Sequence, residues 1–133
     1  MTAQSNYLAG KRTEIHPYKT REGGATVTVF VPYNCLNNCP FCINKAEYEN
    51  PEGFSADKIC ESIRRMGAIT PYCDFVFTGG EPFADLNVLQ QMLDEIPKTH
   101  KVYINTTLPV SKFQTEDDIV RFTEKNKDKI TCI

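Results

Sequence analysis

The sequence predicts an α/β protein with a parallel sheet and helices packed outside it. Three observations predict this. Runs rich in β-branched and aromatic residues recur at 26–31, 74–78, 101–106 and 130–133. Between them, apolar residues fall three and four apart, the spacing of one helix face. Gly and Pro punctuate the junctions. The order is β-α-β-α-β-α-β, and strands that alternate with helices pair in parallel through right-handed crossovers.

Each element has its own reason. Residues 1–24 carry no period and end in Gly23-Gly24, so they are expected to form an N-terminal arm, leaving 25–133 as one domain. Thr26-Val27-Thr28-Val29-Phe30-Val31 alternates as a strand does, and Pro32 helps to end it. A cysteine-rich loop follows, then a turn-rich connection around Asn50-Pro51-Glu52-Gly53. Ser55 is placed as an N-cap, though Lys58 stands where a capping box wants Glu. Ile59, Ile63 and Met66 form that helix's stripe, and Gly67 marks its expected end. Asp74-Phe75-Val76-Phe77-Thr78 is a short strand, followed at once by Gly79-Gly80-Glu81-Pro82. Leu86, Leu89, Met92, Leu93 and Ile96 trace a second helix, stopped by Pro97. A third strand spans 101–106, a third helix 115–126 with Ile119 and Phe122 as its stripe, and a fourth strand begins at Ile130.

Composition bounds the function. The chain has 133 residues, 41% of them hydrophobic, and a net charge of −2, ordinary for one soluble domain. No apolar run approaches membrane-spanning length. Lys and Arg are scattered, which gives no nucleic-acid surface; the Arg64-Arg65 pair is expected on the solvated face of its helix. Residues 1–24 are polar and hold no signal peptide, so a cytoplasmic location is expected.

The chemistry concentrates in Cys35-Leu36-Asn37-Asn38-Cys39-Pro40-Phe41-Cys42. Three close thiolates make a claw for an iron–sulfur cluster, and three ligands leave the fourth iron of a 4Fe-4S cubane open. Zinc is the first rival, but a structural zinc needs a fourth ligand. Cys60, Cys73, Cys132, His16 and His100 do not lie at finger-like spacing from the triplet. Disulfides are the second rival and are rare in the cytoplasm. Cys60, Cys73 and Cys132 are expected to be small buried hydrophobes, and His16 and His100 surface residues.

This spacing, with an aromatic before the last Cys, resembles the signature of the radical S-adenosylmethionine (radical SAM) superfamily. Gly79-Gly80-Glu81-Pro82 resembles that family's Gly-Gly-Glu-Pro motif. The resemblance implies that Cys35, Cys39 and Cys42 hold the cluster and that SAM chelates the open iron. It implies reductive cleavage of SAM to a 5′-deoxyadenosyl radical, which abstracts hydrogen from a substrate. It places Phe41 against the SAM adenine, where the plainer reading is an aromatic shielding the cluster. It places the backbone of Gly79, Gly80, Glu81 and Pro82 at the SAM amino group. There Glu81 either accepts from the ammonium or fixes the loop, and Pro82 stiffens the turn. Asn105 and Thr106 match strand-end residues that bind SAM carboxylate or ribose, or else simply cap a strand. The run Asn105-Thr106-Thr107-Leu108 lacks the Gly that often follows in the family.

The family fold is a partial (β/α) barrel of six units. A full eight-unit barrel takes ~250 residues, so six need on the order of 190. The chain is therefore expected to be truncated after the fourth strand, with a homo-oligomer covering the open edge. The resemblance also implies an oxidoreductase served by an external flavodoxin- or ferredoxin-like electron donor. An activating enzyme acting on a protein or peptide, and a small-molecule modifier, both remain open. The alternative from a different class is a non-catalytic iron–sulfur or zinc-binding interaction module.

Overall fold

The computed structural model describes residues 26–31, 35, 39–42, 55–69, 73–110 and 114–133. The N-terminal arm and His16 lie outside the described residues. Three strands form one sheet in the order β1-β2-β3: β1 (Thr26–Val31), β2 (Asp74–Gly79) and β3 (Val102–Ile104). Both pairings are parallel, with Thr26 opposite Asp74, Val31 opposite Gly79, and Phe77 opposite Ile104. Helices α1 (Ala56–Ile69), α2 (Leu86–Asp94) and α3 (Glu116–Lys125) complete an α/β arrangement.

β2 is central because its side chains suit burial on both sides. Phe75 and Phe77 are fully buried, as are Val31 and Val102 on the flanking strands. α2 lays Leu89, Met92 and Leu93 into this core, and Phe83 meets Phe122 of α3 edge-to-face at 5.5 Å. Burying each such side chain stabilises by roughly 1.5–3 kcal/mol.

Local signals set the helix ends. Ser55 caps α1, its Oγ accepting from Lys58 N–H at 3.2 Å. Asp85 caps α2 through Asn87 and Val88. α1 does not stop at Gly67 but runs on to Ile69. Its buried stripe is Cys60, Ile63 and Gly67, while Met66 stands at the surface. Gly67 lies on the buried face, where a Cβ would make only an ordinary contact, 3.5 Å from Pro97 Cδ. Arg64 reaches across to hold Glu95 of the α2 cap with two bonds of 2.8 Å, and its side chain stays exposed as expected.

Thr115 and Asp118 form a full capping box at α3: Thr115 N–H donates to Asp118 Oδ2 at 2.8 Å, and Asp118 N–H donates to Thr115 Oγ1 at 3.3 Å. The Thr115 backbone N–H, with help from Arg121, holds the Asp118 carboxyl at about 2. A depressed carboxylate contributes stability above its unfolded value of ~3.9 and loses it as pH falls toward the folded value. Asp118→Asn is thus expected to destabilise the chain at pH 6, with the gap to wild type closing between about pH 4 and pH 2. Thermal unfolding of both proteins across that range measures it; a gap independent of pH would contradict the capping role.

Three expectations are corrected. The fourth strand is a single parallel bridge, Tyr103 to Cys132. Thr131 N–H donates to Val102 O at 2.8 Å, but Val102 N–H turns to the Thr131 hydroxyl at 3.1 Å. A side chain therefore takes the place of a ladder carbonyl, and regular pairing is interrupted. Cys132 in consequence is only half-buried, unlike Cys60 and Cys73. His100 is buried, not at the surface. Its Nδ1 lies 2.7 Å from Cys73 O, and its ring meets Phe75 edge-to-face at 5.5 Å. Burial pushes the Cys60 and Cys73 thiols up, which keeps both as inert protonated groups.

Candidate metal centre at the carboxyl edge of the sheet

The three described strands end on one edge, and every candidate residue lies at or after one of those ends. Ligands collect on this edge in parallel α/β proteins because the loops there converge. Gly80 N–H donates to Val31 O at 2.7 Å, and Asn105 N–H donates to Phe77 O at 2.9 Å. The ladder therefore carries one step past the end of β2 toward β1 and one step past the end of β3 toward β2. The Gly79-Gly80 backbone is pinned to the last residue of β1, four residues before Cys35.

Gly79 is required by that junction. Its φ is +102°, and a Cβ would lie 2.8 Å from both Phe30 Cδ2 and the Val31 nitrogen. No L side chain fits both conditions. Pro82 opens a short 3₁₀ turn (Pro82–Ala84), closed by Ala84 N–H to Glu81 O at 2.9 Å. Proline suits that first position, where no N–H is needed.

Cys35, Cys39 and Cys42 are half-buried, and none is in a disulfide. Cys42 N–H donates to Cys39 O at 3.2 Å, closing a turn with Pro40 and Phe41 at its tip. Phe41 is 82% exposed. Three thiols on one short loop are the donor set that a cluster takes. Among the described residues, no three His, Cys, Asp or Glu side chains converge on a single metal position. Cys35, Cys39 and Cys42 suit a cluster by their thiol chemistry and their closeness in the sequence. Metal binding is what draws such ligands together, and its energy becomes folding energy of the loop.

Glu81 is the surprise. It is 4% exposed and accepts from two loops at once. Oε1 takes the Phe83 N–H at 3.0 Å and the Thr106 hydroxyl; Oε2 takes the Thr107 N–H at 3.0 Å and its hydroxyl at 2.8 Å. These hydrogen bonds tie the loop after β2 to the loop after β3. Thr106 is half-buried, and its Oγ1 also accepts from Leu108 N–H at 3.0 Å. Asn105 is exposed, beside them on the same edge. Thr107 escaped sequence reasoning; a second hydroxyl beside Thr106 was the signal available.

Leu108 has φ +51°, a left-handed conformation, at the place where the resembled family often carries Gly. The turn keeps a glycine-like backbone without the glycine. Such a conformation costs an L residue roughly 1–2 kcal/mol. Leu108→Gly is accordingly expected to be more stable than Leu108→Ala by about 1 kcal/mol. Chemical denaturation of the two variants measures it, and an Ala variant equal to or better than Gly would show no strain to relieve.

The described sheet brings Cys35, Cys39 and Cys42 and the glycine loop to one edge of a parallel α/β domain. Residues 22–128 match the family described as 4Fe-4S single cluster domain, and the chain belongs to it. That span includes all three cysteines and Gly79 to Pro82. No curated protein and no solved structure matches the chain. Among the described residues, no helix is long and apolar enough to cross a membrane.

Proposed function

We propose that the chain carries a radical SAM site: a 4Fe-4S domain, over residues 25–133, that binds SAM at the cluster. The observation that carries this reading is the junction of Gly80 N–H with Val31 O at 2.7 Å, which sets the glycine loop beside the strand that feeds the thiol loop. Membership in a cluster family also found in radical SAM-related proteins supports it. Cys35, Cys39 and Cys42 would hold the cluster. When bound, the cluster supplies the electron for reductive cleavage of SAM and so the means of hydrogen abstraction from substrate. The chain's own residues do the rest. Gly79 and Gly80 bring bare backbone to the methionine end of SAM. The exposed Phe41 ring is available to the adenine. Asn105 and Thr106 stand at the next strand end for the ribose or carboxylate. The substrate would be a peptide, protein or small molecule, and the electron would come from a flavodoxin- or ferredoxin-like donor.

A second reading, a cluster-binding module without catalysis, draws on the breadth of the cluster family itself. Anaerobic reconstitution followed by electron paramagnetic resonance with and without SAM separates the two. A spectrum shifted by SAM, with 5′-deoxyadenosine formed on reduction, is expected. A cluster whose spectrum ignores SAM would leave the module reading and overturn the enzyme.

A further inference from the structure

We propose that Glu81 is a positioning residue: its carboxylate joins the loop after β2 to the loop after β3, so that both present one surface to SAM. This rests on the function proposed above and goes beyond it, because it assigns Glu81 an indirect role.

The geometry is specific. A carboxylate offers two oxygens and about four lone-pair sites. Here Oε1 and Oε2 together accept four hydrogen bonds, from Phe83 N–H, Thr106 Oγ1, Thr107 N–H and Thr107 Oγ1. Every site is taken within the chain, and the group is 4% exposed. The carboxylate therefore has nothing left to offer the ammonium of SAM. It acts through what it holds. On one side it fixes Phe83 N–H, at the start of the 3₁₀ turn that its own carbonyl closes. On the other it fixes Thr107, and Thr106 passes the constraint on to Leu108 N–H at 3.0 Å.

No other residue type meets these demands. Each oxygen receives a backbone N–H, from Phe83 on Oε1 and from Thr107 on Oε2. A Gln in either orientation would point its NH₂ at one of those N–H groups. An Asp is one methylene shorter and cannot span both loops from the same backbone. Bonds to a charged acceptor are roughly twice as strong as neutral ones. The link therefore holds two loops that no strand pairing joins beyond Asn105 N–H to Phe77 O. A shift of the β3 loop moves the backbone of Gly79 to Pro82, and the methionine and ribose ends of SAM are gripped together or not at all.

The test uses Glu81→Gln, Thr107→Val and Thr107→Ser. In protein without cluster, amide hydrogen exchange at Phe83 and Thr107 is followed by NMR. Glu81→Gln should speed both on the order of tenfold or more. In cluster-loaded protein, SAM is titrated by paramagnetic resonance. Glu81→Gln should weaken SAM by about tenfold or more, with KM for SAM rising more than kcat falls. Thr107→Val should weaken SAM less, and Thr107→Ser should restore wild-type affinity. Unchanged exchange in Glu81→Gln, unchanged SAM affinity, or a Ser variant as poor as Val would each overturn the proposal. If Glu81→Gln does not fold, the Val and Ser pair decides. A wild-type chain indifferent to SAM overturns the proposed function instead, and exchange alone then decides whether Glu81 joins the loops.

Discussion

Cys39→Ala, reconstituted anaerobically with iron and sulfide, is expected to hold no 4Fe-4S cluster, and so are Cys35→Ala and Cys42→Ala. Cys60→Ala should load like wild type. The contrast follows from placement. The three loop thiols follow β1 on the edge where loops converge, and all three are partly open to solvent. Cys60 sits on the buried face of α1, where burial, with Glu95 and Asp57 adding to it, disfavours its thiolate. Only a thiolate ligates iron. A claw of three that loses one arm leaves two ligands, too few to hold a cubane. Iron and sulfide analysis with the visible spectrum reads the result. A Cys39→Ala protein with its full iron and sulfide content would reject the ligand assignment.

Gly79→Ala should strongly destabilise the protein fold, and should also abolish the response to SAM. Its added Cβ would lie 2.8 Å from the Val31 nitrogen, a backbone atom that cannot swing aside, and φ is +102°. Strain and overlap together are expected to cost on the order of 3 kcal/mol. For a chain of this size that is a fall in Tm of about 10 °C. Gly67→Ala is the matched comparison. Its Cβ would meet Pro97 Cδ at 3.5 Å, an ordinary contact inside a helix. Ala is the better helix former by about 1 kcal/mol, so that variant should be neutral or stabilised. Thermal unfolding of both decides the matter. A Gly79→Ala protein as stable as wild type would mean the glycine is a matter of ligand approach alone.

Much of this was legible in the sequence because it depends on near neighbours. Alternation marked β1, helical spacing marked α1 to α3, and both site motifs fall directly after strands. What was hidden depends on partners distant along the chain. His100 has polar neighbours and reads as surface; a carbonyl from Cys73 and the edge of Phe75 bury it. The apolar run at 130–133 reads as a strand, but the Thr131 hydroxyl intercepts the Val102 N–H. Gly67 reads as a stop because glycine weakens helices, but it lies buried on the core face of α1 and the helix continues to Ile69. Glu81 showed two readings in the sequence, and Thr106 and Thr107, from the loop after β3, supply three of the carboxylate's four partners. Leu108 hides a left-handed backbone that no residue preference announces.

The two loops of the site stand on unequal foundations. The glycine loop grows from β2, which is flanked by a strand on each side and anchored by two wholly buried phenylalanines. The thiol loop grows from β1, which lies at the margin of the described sheet. The order of assembly follows. The glycine loop needs only the protein core to take its shape, so it is finished when folding is finished. With Cys35, Cys39 and Cys42 as the proposed ligands, coordination would be completed only when metal arrives. Under the proposed ligand set, a cluster would be loaded onto, and reloaded into, a sheet that is already folded.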